Sequence, residues 1–309
     1  MADSIYDIAV IGAGVFGAWT AYQLQRSGQR VILIDAYGSG NSRSSSGDES
    51  RIIRMGYGAD EIYTRSALRS LQLWRELFAR VNEPLFHQTG VLWLAQENDS
   101  YPVKTAETLQ ELGVPFERLT PAEVSRCYPQ IGLARIAWAM FEPGSGVLSA
   151  RRAVQAVTRA ASANGVEFLQ DVVTGTGVRG PQRDRASANP AGLLVAPVNH
   201  AQDAPATART LNEITTASGR RISAGHYVFA CGPWLPKIFP SLLSDRIHPT
   251  RQEVFYFGAP AGNQSFTSTA LPTWIDFKDE AYGLPDLEGH GVKLAIDRHG
   301  SEFDPDDGD

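Results

Sequence analysis

Two cysteines, Cys127 and Cys231, are all that 309 residues contain, and they lie far apart with no CxxC spacing. A disulfide framework and a cysteine-based zinc site are therefore excluded as organising features. No basic block interrupts the chain. Its 28 basic and 34 acidic residues leave a net charge of −6, so nucleic acid is not expected as a partner. Long apolar runs are missing too, and MADSIYDIAVIGAG enters strand-like sequence without the basic start of an export signal. The expectation is a cytoplasmic protein that does not engage a membrane. At 43% hydrophobic residues the chain can still bury a substantial core, in two domains.

What is present reads first as a βαβ unit. YDIAVI is a short buried strand, WTAYQLQRSG carries apolar residues at helical spacing and closes on Gly28, and RVILIDA is a second buried strand. EIYTRSALRSLQLWRELFARVN then predicts a long helix, with Pro84 just beyond it. From Gly90 the texture changes. GVLWLA and RIAWAMFEP read as strands, with a helical TLQELGV and a helix in TPAEVSRCYP between them. In the latter, Thr120, Pro121 and Glu123 predict a capping box. SARRAVQAVTRAASANGVEF returns to helix and strand, and residues 175–220 predict weak hairpin strands such as GLLVAPV around a long loop. HYVFACG is a further buried strand, while RQEVFYFGAP and YGLPDLEGHGVKLAID predict antiparallel sheet.

The βαβ unit carries Gly12, Gly14 and Gly17 in GxGxxG spacing. The first glycine permits the tight turn, the second lets backbone approach a pyrophosphate, and the third lets helix and strand pack closely. The helix N-terminus adds free N–H groups and a partial positive charge. Asp35 ends the second strand, 23 residues after Gly12, where a carboxylate can accept ribose hydroxyls. Together these predict a dinucleotide site, and the motif leaves FAD and NAD both open. A plain NAD dehydrogenase would continue with another βα unit, whereas this chain continues with the polar loop NSRSSSGDESRIIR.

The segments GAGVFGAWTAYQL, SGDESRIIRMGYG, ALRSLQLW, EPGSGVLSARRAV, VFACGPW and YGLPDLEGHGVK resemble the glycine oxidase and sarcosine oxidase family of FAD-dependent amine oxidoreductases, in particular its monomeric sarcosine oxidase branch. The resemblance implies an α/β fold, with a Rossmann-like FAD-binding domain at 1–85 and 147–245 and an inserted β-rich substrate domain at 86–146 and 246–309. It also implies roles. Ser45, Ser46 and Arg51 would lie against the flavin, the Val173 backbone would read the adenine, and Gly232 would close the flavin site. Arg54 would pair with a substrate carboxylate, which suits a planar bidentate cation. Lys293 follows Tyr282 by 11 residues, as the family's active-site lysine follows its tyrosine. It would promote the reduction of O2 by stabilising the developing anion.

The expected activity is oxidation of the C–N bond of an amino acid or secondary amine bearing a carboxylate, with O2 reduced to H2O2, by a monomer. Two other readings stay open: a flavin dehydrogenase that passes electrons to a carrier, and a non-catalytic FAD-binding remnant. The second arises because the sequence stops at SEFDPDDGD, where the resemblance would continue into a segment like GFSGHGFK. The expectation is accordingly of a fragment with weak flavin affinity and little activity, in which neither cysteine sits where a covalent flavin link would form.

Overall fold

The computed structural model describes residues 5–176 and 211–307. The expected strand GLLVAPV, at 192–198, lies outside the described residues. The chain divides into two compact units, one of Met1–Glu49, Ala150–Pro249 and Glu302–Asp309, the other of Ser50–Ser149 and Thr250–Ser301. Among the described residues no helix is long and apolar enough to cross a membrane, and no cluster of side chains could hold a metal ion.

The first unit is built on a six-stranded sheet. In spatial order its strands are Val173–Thr176, Glu213–Thr216, Arg221–Phe229, Ile5–Ile11, Val31–Asp35 and Glu167–Gln170. The last four are mutually parallel and the first three antiparallel. Burial on both faces explains why Val31, Ile32, Leu33 and Ile34 form an unbroken apolar run instead of alternating. One face packs Tyr6, Ala9, Ile11, Ile32, Ile34, Ile214 and Ile222 into a core. The helices Val15–Arg26 and Ala150–Ala163 belong to the same unit and pack on each other. The expected βαβ unit, the helix after SARR and the strand HYVFACG are all found, the last beginning earlier, at Arg221.

The second unit holds a seven-stranded sheet ordered Val254–Phe257, Val292–Ile296, Ala281–Leu284, Thr273–Asp276, Val91–Gln96, Ile136–Glu142 and Glu117–Leu119. It is antiparallel except where Thr273–Asp276 runs parallel to Val91–Gln96. A small sheet of Ser50–Ile53, Gly146–Ser149 and Phe86–His87 accompanies it. The unit boundaries differ from the sequence expectation in residues 50–85, which cluster with the second unit. Ser50–Ile53 pairs antiparallel with Gly146–Ser149, so its hydrogen bonds commit it there. Residues 302–307 likewise cluster with the first unit: Phe303 N donates to Pro249 O, and Lys237 reaches Asp304 and Asp306.

The long helix forms at Glu61–Val81 and ends on Asn82 in the left-handed conformation, a stop that asparagine tolerates. The capping box forms as expected. Thr120 Oγ1 accepts from Glu123 N at 3.3 Å and Glu123 Oε2 accepts from Thr120 N at 2.8 Å, with Pro121 in the first turn. Thr120→Ala is expected to cost about 1 kcal/mol in chemical unfolding monitored on the second unit. An unchanged midpoint would show that this cap contributes nothing.

Candidate functional site

In the first unit the glycine turn is dictated by backbone meeting backbone. Gly12 has φ +102°, and a Cβ there would lie 2.4 Å from the Ala230 carbonyl oxygen. A Cβ on Gly17 would lie 1.7 Å from the Gly12 carbonyl oxygen, so nothing larger than glycine lets the helix approach the strand. Gly14 differs. A Cβ there meets only Ser46 Oγ at 3.5 Å, an ordinary contact. Its bare face therefore does not serve protein packing. The helix Val15–Arg26 starts at Gly14, which brings no capping side chain of its own, and has no acid in its first turn, which leaves its positive end suited to an anion.

These residues open onto a cavity of about 990 Å³ lined by Gly12, Gly14, Asp35, Ser45, Ser46, Val173 and Gly232, among others. Asp35 is fixed by Ala13 N at 2.6 Å and Tyr37 N at 2.8 Å. Asn41 Nδ2 adds a longer contact at 3.4 Å, and a carboxylate with about four lone-pair sites can still accept a hydroxyl. Burial pushes its carboxyl up, and the backbone N–H groups of Ala13, Tyr37 and Gly38 oppose that. Ser46 Oγ accepts from Val15 N at 3.1 Å, tying the polar loop to the helix start. Of the residues expected to bind the cofactor, seven line one cavity and Gly17 supports it from behind. Arg51 is the exception, since it belongs to the second unit.

Among the lining residues that the sequence does not single out are Tyr37 and Trp234, whose ring centroids lie 5.9 Å apart. The position of Tyr37, two residues past the strand-ending acid, was the signal that could have found it. Cys231 also lines the cavity, and burial pushes its thiol up to about 12. Such a thiol makes a poor nucleophile, because the thiolate is the reactive form.

In the second unit Arg51 and Arg54 flank Ile52 and Ile53 on and just beyond the short strand Ser50–Ile53. Arg51 is exposed. Arg54 is half-buried: its guanidinium carbon lies 4.7 Å from the Tyr57 ring centroid and 5.0 Å from that of Trp93, and Nη1 donates to Gly56 O at 3.2 Å. The stretch that follows is clamped from the helix Ser100–Glu111, where Thr105 Oγ1 accepts from Gly58 N at 3.0 Å and Thr108 Oγ1 donates to Gly58 O at 2.8 Å. Tyr57, which residue type alone marks as ordinary packing, is thus one wall of the guanidinium site.

Lysine is ordinarily a surface residue, yet Lys293 is only 1% exposed. Its ammonium donates to Ser50 O at 3.0 Å and lies 6.0 Å from the Tyr282 ring centroid. Lys293 and Tyr282 are therefore brought together, beside the strand that carries Arg51. His87 offers a single nitrogen, Nε2, to both Ser149 Oγ at 3.1 Å and Glu288 at 4.0 Å. A nucleophile–base–acid relay needs both ring nitrogens, so this group is not one.

A sequence model of the family described as FAD dependent oxidoreductase matches residues 7–309. Over 304 residues the chain is 28% identical to the monomeric sarcosine oxidase of Bacillus sp. (strain B-0618), covering 97% of this chain and 70% of that protein. Over 164 residues it is 31% identical to the N-methyl-L-tryptophan oxidase of Yersinia pestis (strain Pestoides F), covering 53% of this chain and 44% of that protein. Its fold matches the solved L-proline dehydrogenase from P. horikoshii with a TM-score of 0.73 at 21% identity, covering 97% of this chain and 72% of that one.

Two predictions follow from the cavity's construction. Gly14→Ala should leave the thermal unfolding midpoint unchanged but weaken retention of an added dinucleotide cofactor at least tenfold. Gly17→Ala should lower the midpoint as well. Equal behaviour of the two would contradict the packing argument. Cys231 should carry about a thousandfold less thiolate at pH 8 than an ordinary cysteine. Alkylation of the native chain should therefore label the exposed Cys127 and label Cys231 only after urea, whereas rapid double labelling would refute this.

Proposed function

The chain belongs to the family of FAD dependent oxidoreductases, and on that premise we propose that it oxidises the C–N bond of a carboxylate-bearing amino acid or secondary amine, with O2 as the terminal acceptor and H2O2 as a product. FAD is its cofactor, and the residues present fit it. The bare face of Gly14, the helix start free of acidic side chains and the strand-ending Asp35 are the features that a pyrophosphate and a ribose require. Gly12, Gly14, Ser45, Ser46, Asp35, Val173 and Gly232 would hold it. When bound, FAD supplies the acceptor for the hydride equivalent leaving the carbon next to nitrogen. The resulting imine is hydrolysed by water.

The observation that carries the substrate class is Arg54. Its half-buried guanidinium lies over the rings of Tyr57 and Trp93, and one backbone carbonyl uses one of its five N–H donors. No carboxylate among the described residues pairs with it. A planar cation in that state recognises a planar anion, and a bidentate carboxylate matches its fork. Binding the substrate by its carboxylate orients the C–H bond to be broken. The names of the sarcosine and N-methyl-L-tryptophan oxidases support an amine bearing such a group, and the name of the first supports a monomer.

Lys293 serves the oxidative half. Electron transfer to O2 builds negative charge, and an ammonium held out of water stabilises that charge more than a solvated one would. The tie to Ser50 O fixes where the ammonium sits.

Arg54→Lys should raise KM for a carboxylate-bearing amine roughly tenfold to a hundredfold, the worth of a charge-assisted hydrogen bond, while leaving an amine without a carboxylate unaffected. An equal effect on both substrates would sink the carboxylate reading. Lys293→Met should slow peroxide formation about a hundredfold or more, with anaerobic substrate oxidation nearly unchanged. Unimpaired peroxide formation in that variant would remove Lys293 from the oxidative half. Turnover with an artificial electron carrier and none with O2 would turn the assignment to a dehydrogenase.

A further inference from the structure

Glu142 ends the strand Ile136–Glu142, is only 1% exposed, and takes no part in the chemistry above. A carboxylate removed from water needs its lone pairs filled, and here they are. Oε2 accepts from Met55 N at 2.8 Å and Ser145 Oγ at 2.6 Å. Oε1 accepts from Gly56 N at 3.1 Å and Trp93 Nε1 at 2.6 Å. All four donors are neutral, and each oxygen takes two.

Two of those donors belong to the groups that hold Arg54. The Gly56 carbonyl accepts from Arg54 Nη1, and the guanidinium carbon lies over the Trp93 ring. One carboxylate thus pins both the glycine whose carbonyl grips the guanidinium edge and the indole over which the guanidinium lies. The peptide has no slack, because a Cβ on Gly56 would meet Thr105 Cγ2 at 2.5 Å, Glu142 Oε1 at 2.7 Å and Trp93 Cζ2 at 2.8 Å.

We infer that Glu142 is a positioning residue for carboxylate recognition, setting the orientation of Arg54 through Gly56 and Trp93 without touching the substrate. The inference rests on the reading of Arg54 as the partner of the substrate carboxylate. Ion-pair recognition depends on angle, and groups that orient a binding side chain typically cost tenfold to a hundredfold in affinity when they are lost. A Glu142 that only stabilised the fold would affect every ligand alike.

The test compares wild type, Glu142→Gln, Trp93→Phe and Arg54→Ala in the FAD-loaded full chain. Glutamine keeps the shape of Glu142, but its amide N–H must face either Met55 N, with Ser145 Oγ turning to accept, or both Gly56 N and Trp93 Nε1, so at least one bond that holds the residues around Arg54 is lost in either flip. Trp93→Phe deletes one donor and keeps a ring, and it carries the test if Glu142→Gln fails to fold. The readouts are the acetate dissociation constant by ligand-observed NMR, and KM and kcat for a carboxylate-bearing amine and a matched amine without one. Glu142→Gln should weaken acetate and raise KM for the carboxylated substrate about tenfold, with kcat within about twofold and the amine without a carboxylate unmoved. Trp93→Phe should act in the same direction but less strongly. Adding Glu142→Gln to Arg54→Ala should weaken acetate no further. Acetate affinity unchanged in Glu142→Gln and Trp93→Phe, but lost in Arg54→Ala, would overturn this inference alone. An equal loss for both substrates, or an additive loss on Arg54→Ala, would overturn it in favour of a fold-stabilising role. Acetate affinity unchanged in Arg54→Ala would overturn the substrate reading and this inference with it.

Discussion

Backbone meets backbone where Gly17 passes the Gly12 carbonyl and Gly12 passes that of Ala230, and the first unit depends on that approach. It brings the start of the helix Val15–Arg26 against the ends of the parallel strands, which sets the first turn of that helix and Asp35 on one cavity. Other residues that line the cavity are placed relative to that junction. Ser46 is tied to Val15, and Gly232 follows the strand beside the glycine turn. A methyl group at Gly17 would push the helix outward by displacing a carbonyl, and no flexible side chain is there to yield instead.

The second unit solves a different problem, the placing of charge out of water. Glu142, Lys293 and Arg54 are each withdrawn from solvent, and each is treated differently. Glu142 has both oxygens doubly occupied by neutral donors, so it is a finished anchor. Lys293 reaches the backbone carbonyl of Ser50, on a strand of the small three-stranded sheet. Arg54 has its guanidinium carbon over two aromatic rings, and one of its N–H donors is taken by a backbone carbonyl. That graded satisfaction separates structural charge from charge available for chemistry, since a buried polar group left unsatisfied is costly unless a ligand completes it.

Local features were legible in the sequence. The glycine spacing, the apolar run of Val31–Ile34 and the box at Thr120 and Glu123 each act over a few neighbouring residues, and each formed. Features made by distant pairing were not. Ser50–Ile53 reads as an extension of the nucleotide domain until its partner Gly146–Ser149, almost a hundred residues on, is known. Lys293 looks like a surface residue by type, and its burial follows from where its strand falls in the sheet. Glu142 gave no sign at all, because its four donors come from residues 55, 56, 93 and 145. Tyr37 and Trp234 belong to the same class, since only the folded first unit sets their rings side by side.

The central claim is that this chain oxidises amines which it recognises by a carboxylate. Its most direct test is an anaerobic mixing experiment on the FAD-loaded chain, following the cofactor's visible absorbance. A panel of N-alkyl amino acids is compared with the matched amines that lack the carboxylate. The account predicts bleaching by at least one carboxylated member and none by its decarboxylated counterpart. Bleaching by both at equal rates, or by neither across a panel of carboxylated amines, would contradict it.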